Sequence, residues 1–403
     1  MKFTRYVAVL VACAGVLSAS ACTIPTDDDQ GKQGKDVVAK TVPQIPPAFT
    51  VGDGSTVSPS QDIEVHTFGA ELVSAKLIND ADEVVADLGG GGKLSSETST
   101  SSWRVTEPLG YGRTYTLTAR DSGGQTVEST FTTVTPTYRA EAYVSPDDSE
   151  VGVGQTVNIR FDITIPDAYK KAAESTVKVT ADPPTEGAFY WVNQSELRWR
   201  PKDHWQPGTK VRVEAKPFGH RLGQSTWGGD NTEAEFTIGD EVIAYVDNNT
   251  KIMTVKKNGE TVKTMPVSMG RDGGRWSTPP GTYIIGDKNP SMIMDSETFG
   301  LSHESGGYRT KVNYATQMSY SGIYVHAAPW SVWAQGNTNT SHGCINVSTE
   351  NAKWFQEFVK RGDLVVVENT TGDTLSPYDG LGDWNFDWAT ISKDLSSEDS
   401  SSS

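Results

Sequence analysis

The chain has 403 residues, with 51 acidic side chains against 35 basic ones and a net charge of −16. That balance argues against nucleic acid, whose binding depends on clustered Lys and Arg, so no nucleic-acid partner is expected. The length suits about two to four domains, each large enough to bury its own core.

Residues 1–21 read as an export signal. Lys2 and Arg5 form the charged start, and Val7 to Leu17 is an apolar run too short to span a bilayer. Ala19-Ser20-Ala21 leads directly into Cys22, which resembles a bacterial lipobox. Cleavage before Cys22 leaves that cysteine to carry lipid, whose chains anchor at about 0.8 kcal/mol per buried CH₂. Ala19 stands where Leu is more usual, and ordinary secretion with cleavage near Ala21 is the alternative. The expected location is the outer leaflet of the cytoplasmic membrane, with the folded part reaching into the cell wall.

Three cysteines occur in all. Cys13 leaves with the signal and Cys22 takes lipid, so Cys344 has no intrachain partner. Exported chains normally pair their cysteines or lack them, and an unpaired thiol there points to reactivity. The other reading, a small buried apolar side chain, sits less naturally beside Gly343.

Residues 22–47 are polar and proline-containing and read as a flexible tether. In residues 48–137, Tyr115, Leu117 and Ala119 alternate with Thr114, Thr116 and Thr118, as in a half-buried strand, and Gly89 to Gly92 is a loop. Residues 138–239 repeat the style. Val157, Ile159, Phe161, Ile163 and Ile165 fall on one face; Leu197 and Trp199 alternate with Arg198 and Arg200, and Val211 and Val213 with Arg212 and Glu214. No long stretch has helical period. Two such modules of short strands suggest Ig-like sandwiches, here without a disulfide. They read as spacers; the sharper alternative is a glycan-contacting groove, with Trp205 and Trp227 as stacking side chains.

From about Asp240 to residue 370 the pattern changes. Val242 to Val246 and Ile252 to Val255 are strands, and Lys257-Asn258-Gly259-Glu260 carries a hairpin signal. Thr278-Pro279-Pro280-Gly281-Thr282-Tyr283 is a proline-stiffened loop leading into a strand. Ser348 caps a helix predicted over Thr349 to Arg361, whose apolar face is Ala352, Phe355, Phe358 and Val359, and which Gly362 stops. Leu364 to Val367 is a last strand. Residues 371–394 carry Tyr378, Trp384, Phe386 and Trp388 and are expected to pin the preceding region against the second sandwich. Residues 395–403 are expected to be disordered.

Within this third region His326 precedes Cys344 by 18 residues. A thiol with a pKa of about 8.5 is a weak nucleophile at neutral pH; an adjacent imidazole or ring of amides is expected to lower it. A Cys with a His partner is the minimum equipment for covalent acyl transfer. A zinc site from His326, His342 and Cys344 is the rival arrangement, with neither known spacing nor a fourth ligand.

His326, the gap, and Ser341-His342-Gly343-Cys344-Ile345-Asn346 resemble the signature of the L,D-transpeptidase (YkuD) family, and Thr278 to Tyr283 resembles its Thr-Pro-x-Gly-x-Tyr element. The resemblance covers roughly Asp240 to Asn369. It implies a mainly β chain: two Ig-like β-sandwich domains, a β-rich L,D-transpeptidase catalytic domain with one main helix, and a C-terminal packing extension. Tandem Ig-like modules precede the catalytic domain in multi-domain members, as here.

The resemblance further implies Cys344 as nucleophile, His326 as general base and acid, and peptidoglycan stem tetrapeptides as substrate, joined 3→3 with loss of D-Ala. It implies no metal or cofactor, and carbapenem-type β-lactams as covalent inhibitors. Ala327 stands where multi-domain relatives often carry Ser; its main-chain carbonyl is taken to orient His326. By the same likeness Tyr308 and Met294 line the substrate path. Ser341, His342 and Gly343 shape the loop and its oxyanion donors, and Asn346 holds the loop. Phe299 replaces a frequent lid Tyr. An L,D-carboxypeptidase would use the same residues with water as acceptor, and a wall-binding lipoprotein with a degenerate catalytic domain is the non-enzymatic alternative.

Overall fold

The computed structural model describes residues 45–89, 92–97, 100–300 and 302–393. The export signal, Cys22, most of the tether, residues 394–403 and Gly90 and Gly91 of the glycine loop lie outside these residues. So does the Phe299 side chain. Among the described residues no helix is long and apolar enough to cross a membrane.

Strand follows strand through most of the chain. In the first sandwich, one sheet runs Ile45–Phe49, Glu64–Phe68, Thr100–Val105, Gly92–Glu97 in spatial order. The other runs Thr56–Val57, Thr126–Thr133, Thr114–Asp121, Leu72–Asn79, Val84–Asp87. Trp103, Phe131, Leu77 and Leu117 fill the core they share. Tyr115, Leu117 and Ala119 are buried as the alternation predicts. The first strand begins at Ile45, inside the stretch read as tether. Pro46 and Pro47 hide it in the sequence, and an edge strand is where proline is tolerated.

The second sandwich pairs a sheet of Ala142–Ser145, Val157–Phe161, Glu196–Pro201 and Gly187–Trp191 with one of Ser149–Val151, Thr232–Ile238, Lys210–Ala215 and Val177–Asp182. Trp205, read as a possible sugar contact, is core and donates from Nε1 to Gln155 O at 2.7 Å. Trp227 is half-buried in a short strand, Thr226–Gly228. The run of Ile163 and Ile165 does not extend the strand, which stops at Phe161. A helix, Asp167–Glu174, follows. Ala173 is buried and Tyr169 packs beside it on the core, but the helix spans only 8 residues, too few for its period to stand out in the sequence.

Strand Glu196–Pro201 departs from the alternation in an instructive way. Leu197 and Trp199 enter the core, but Arg198 and Arg200 are also buried, at 3% and 2% exposure. The C-terminal segment covers them. Arg198 Nη1 donates to both carboxylate oxygens of Asp383 at 2.7 Å and to Gly380 O at 2.7 Å. Tyr190 donates its hydroxyl proton to the same carboxylate. Arg200 lies over the rings of Trp384 and Trp388. Arg198 also pairs with Glu196 through Nε at 2.9 Å, so losing Asp383 removes part of its compensation, against a cost of about 3–5 kcal/mol for fully breaking a buried pair. Asp383→Ala is therefore expected to lower the thermal transition sharply; an unchanged melting curve would show the pair to be dispensable.

The third body contains one sheet of Glu260–Pro266, Ile252–Lys257, Val242–Asp247, Leu364–Glu368 and Gly281–Ile284, and another of Lys288–Asp295, Arg309–Gln317, Tyr324–Ala327 and Ile345–Val347. Asn258 and Gly259 make the predicted hairpin turn. Ser348 Oγ accepts the Asn351 N–H at 3.2 Å and starts the helix, which ends at Phe358 rather than Arg361. Val359 turns extended to bury its side chain, and Asp363 Oδ2 takes the Lys360 N–H at 2.7 Å.

This body and the second sandwich share apolar packing: Ile243, Ile284, Leu364 and Leu381 join the sandwich core. Gly152 and Gly154 donate to Arg361 O and Gly362 O, each at 2.8 Å. A Cβ on Gly152 would lie 2.2 Å from the Asp363 nitrogen, so this approach of two backbones requires glycine. The aromatic extension touches both sides. Trp384 Nε1 donates to Gly154 O at 2.8 Å, and Asn385 Nδ2 to Thr282 O at 2.8 Å.

Candidate active site

The site is made by strand pairing. Tyr324–Ala327 runs parallel to Ile345–Val347, with Val325 beside Ile345, His326 beside Asn346 and Ala327 beside Val347. Side chains alternate across a strand, so Val325, Ala327, Ile345 and Val347 all turn into the core under the helix. His326 and Asn346 turn the other way. Cys344, two residues before Asn346, shares their face. The sequence interval between His326 and Cys344 is thus folded into neighbouring positions on one sheet surface.

Both side chains line a cleft of about 290 Å³. The hairpin of Lys288–Asp295 and Arg309–Gln317 contributes Met294, Tyr308, Thr310 and Val312 to its lining. Ser296 ties the hairpin mouth: its N–H donates to Tyr308 O at 2.9 Å, and its Oγ accepts the Tyr308 N–H at 2.8 Å. Met294 packs with Val312, Ala315, Tyr324 and Cys344, so it both fills core and lines the cleft.

The His326 ring is buried and anchored. Its Nδ1 lies 3.0 Å from Ala327 O. A carbonyl only accepts, so Nδ1 carries the hydrogen and Nε2 the lone pair. Burial lowers the pKa of His326, opposed by this hydrogen bond. Cys344 is buried, and its Sγ donates to Gly322 O at 3.5 Å. Burial pushes its thiol up to about 11. The expectation of a lowered thiol pKa is therefore corrected: desolvation disfavours the thiolate, and it also disfavours the imidazolium that would stabilise it. Both shifts favour the neutral forms, thiol and imidazole.

His342 has a different place. Arg271 Nη2 lies 2.6 Å from its Nε2, and a guanidinium can only donate, so that nitrogen's lone pair is engaged. Burial, Arg271 and Arg275 all lower its pKa. Trp276 meets the ring edge-on at 4.7 Å, and Tyr308 lies 5.0 Å away. Burial and the neighbouring Cys344 push the Tyr308 phenol up to about 12, leaving it an O–H donor at neutral pH. His342 is thereby unavailable as a base, and the imagined zinc ligands lose one nitrogen to Arg271.

The loop before Cys344 is bound on itself. Ser341 Oγ donates to Cys344 O at 2.7 Å and accepts the Gly343 N–H at 3.0 Å. The Gly343 amide is thus not free for an oxyanion. Gly343 has φ +135°, a conformation that favours glycine, and an added Cβ would meet Ile323 at 2.7 Å. Thr278, quoted in the sequence only as part of a motif, is fully buried and donates to Gly343 O at 2.7 Å. Asn346 Nδ2 donates to Ser331 Oγ at 3.2 Å, while its buried Oδ1 has no partner. Trp330, Ser331, Trp333 and Thr340 also line the cleft. Sequence reasoning assigned them no role; the pair of Trp residues three apart, in the gap of the motif, was the available signal.

The bacterial Ig domain family matches residues 54–221, a span that crosses both sandwiches, and the L,D-transpeptidase catalytic domain family matches residues 241–367. L,D-transpeptidase 2 of Mycobacterium tuberculosis is 46% identical over 95% of this chain and 93% of its own length. L,D-transpeptidase 5 of the same species is 32% identical over 95% of this chain and 80% of its own. An L,D-transpeptidase solved in complex with imipenem superposes with a TM-score of 0.50 at 35% identity, covering 58% of this chain and 100% of that one. Likeness at this level runs through the sandwiches as well as the cleft, and the chain belongs to the L,D-transpeptidase family, acyltransferases with a cysteine nucleophile.

Proposed function

We propose that this chain cross-links peptidoglycan stem peptides 3→3 through a Cys344 thioester. The observation that carries this is the pair of Cys344 and His326 on one sheet face, opening into one cleft, with His326 Nδ1 held by Ala327 O. The Cys344 sulfur attacks the carbonyl of the third stem residue while its proton passes to His326 Nε2. The oxyanion draws on donors in the cleft, among them the Tyr308 hydroxyl. As the intermediate collapses, the bond to the terminal D-Ala breaks and His326 returns the proton to the departing amine. The side-chain amine of a second stem then gives His326 its proton and takes the acyl group, and the thiol is restored.

The other lining residues fit binding roles. Met294 supplies apolar wall. Ser341, Gly343 and His342 hold the loop, and Asn346 Oδ1 offers an unfilled acceptor to a substrate amide. Carbapenem-type β-lactams, one of which is bound in a solved relative, are proposed to acylate Cys344 by the same attack. The N-terminal reading adds lipid on Cys22, which would hold the enzyme on the outer face of the cytoplasmic membrane.

Mass spectrometry of the mature protein with a tetrapeptide donor tests these together. The expected result is lipid on Cys22, a tripeptide thioester on Cys344 with free D-Ala, and a cross-linked dimer once an acceptor stem is added. Free tripeptide in place of dimer would assign hydrolysis instead. Acylation at a residue other than Cys344 would refute the mechanism.

A further inference from the structure

After strand Tyr324–Ala327 the chain makes two short helical turns, Pro329–Ala334, kinked at Ser331. Their Trp330 and Trp333 side chains are 53% and 69% exposed, with Val332 between them also exposed. Large aromatic side chains left in water beside a cleft mark a binding surface. Both rings line the cleft that holds Cys344 and His326, and the Trp330 ring centre is 6.1 Å from that of His326.

The frame beneath these rings is fixed. The Ser331 N–H donates to Ala328 O at 3.1 Å, Gln335 Nε2 to the same oxygen at 3.4 Å, and Asn337 Nδ2 to Trp333 O at 3.2 Å. Asn346 ties Ser331 to the strand after Cys344. Aromatic faces presented on a rigid segment lose little conformational freedom when a ligand meets them. The chemistry of the wall narrows that ligand. Among the described residues the cleft lining holds no Asp, Glu, Lys or Arg; beside the two indoles the buried Asn346 Oδ1 is an acceptor without a partner, while the Thr340 and Ser331 hydroxyls bond within the protein. The two exposed indoles at its rim suit a neutral ring with an apolar C–H face, which a pyranose presents.

We infer that Trp330 and Trp333 form a stacking platform for the saccharide that carries the donor stem peptide. This rests on the stem-peptide reading above. A stem is joined to sugar at its first residue, and an extended chain spans at most about 3.6 Å per residue. With the third carbonyl at Cys344, the sugar therefore lies near the cleft rim.

The test compares two donors, a disaccharide-tetrapeptide and the free tetrapeptide of the same sequence, by the rate of Cys344 thioester formation. The parent enzyme is expected to prefer the sugar-bearing donor, chiefly through KM. Trp333→Ala is expected to reduce that preference about tenfold, equivalent to losing about 1.4 kcal/mol of contact, and Trp333→Phe to keep most of it. Equal use of both donors by the parent enzyme, or an unaltered preference in Trp333→Ala, overturns the platform while leaving the stem-peptide reading in place. Absence of a thioester with either donor takes both down.

Discussion

Cys344→Ala is expected to abolish acyl transfer, a loss on the order of 10⁶-fold, as when the nucleophile of a covalent mechanism is removed. No neighbouring group can take over. Cys344 is the free cysteine among the described residues. Ser341, the closest hydroxyl in sequence, spends its proton on Cys344 O and a lone pair on the Gly343 N–H. The change deletes one buried sulfur from a small apolar cluster with Met294, Val312, Ala315 and Tyr324. The fold is therefore expected to survive, which a near-UV spectrum would verify. D-Ala release and the mass of a carbapenem adduct are the measurements; turnover at the parental rate would place the nucleophile elsewhere.

His326→Ala is expected to slow acylation about 10³-fold at neutral pH, the range of a positioned general base. The pH profile separates this role from simple packing. Burial lowers the His326 pKa and raises the Cys344 thiol to about 11, so neither group is charged at pH 7. Acylation by substrate needs neutral His326. It should therefore rise with pH through a value below the usual imidazole range of about 6.5 and stay flat above it. Alkylation by iodoacetamide, which needs only thiolate, should instead be slow at pH 7 and climb towards pH 11. A pre-formed thiolate–imidazolium pair would give an alkylation plateau reaching into acid, and that plateau would sink the neutral-pair mechanism. In His326→Ala, acylation should lose its flat region and grow in proportion to hydroxide.

Much of this was legible beforehand because it depends on near neighbours in the chain. Tyr115, Leu117 and Ala119 announce a strand by alternation, Asn258-Gly259 a hairpin, and Ser348 a helix start, each through local geometry. The motif around Cys344 likewise singles out the residues proposed to react. Elements without such a signature escaped: the prolines of Ile45–Phe49 hid an edge strand, and Asp167–Glu174 is too short for its period to stand out. The end of the last long helix was misplaced because Asp363, beyond it in the chain, captures the Lys360 N–H.

The order of residues alone pointed to the groups proposed for chemistry here and fixed how far apart along the chain they stand. Only the packed structure decided their state. It buried Arg198 and Arg200 under a segment nearly two hundred residues later, tied Gly343 to Thr278, closed His342 against Arg271, and withdrew Cys344 from water. Charge and hydrogen bonding respond to everything within a few ångströms, whatever its place in the chain. That surrounding is assembled by long-range folding, and a residue's neighbours in sequence do not report it.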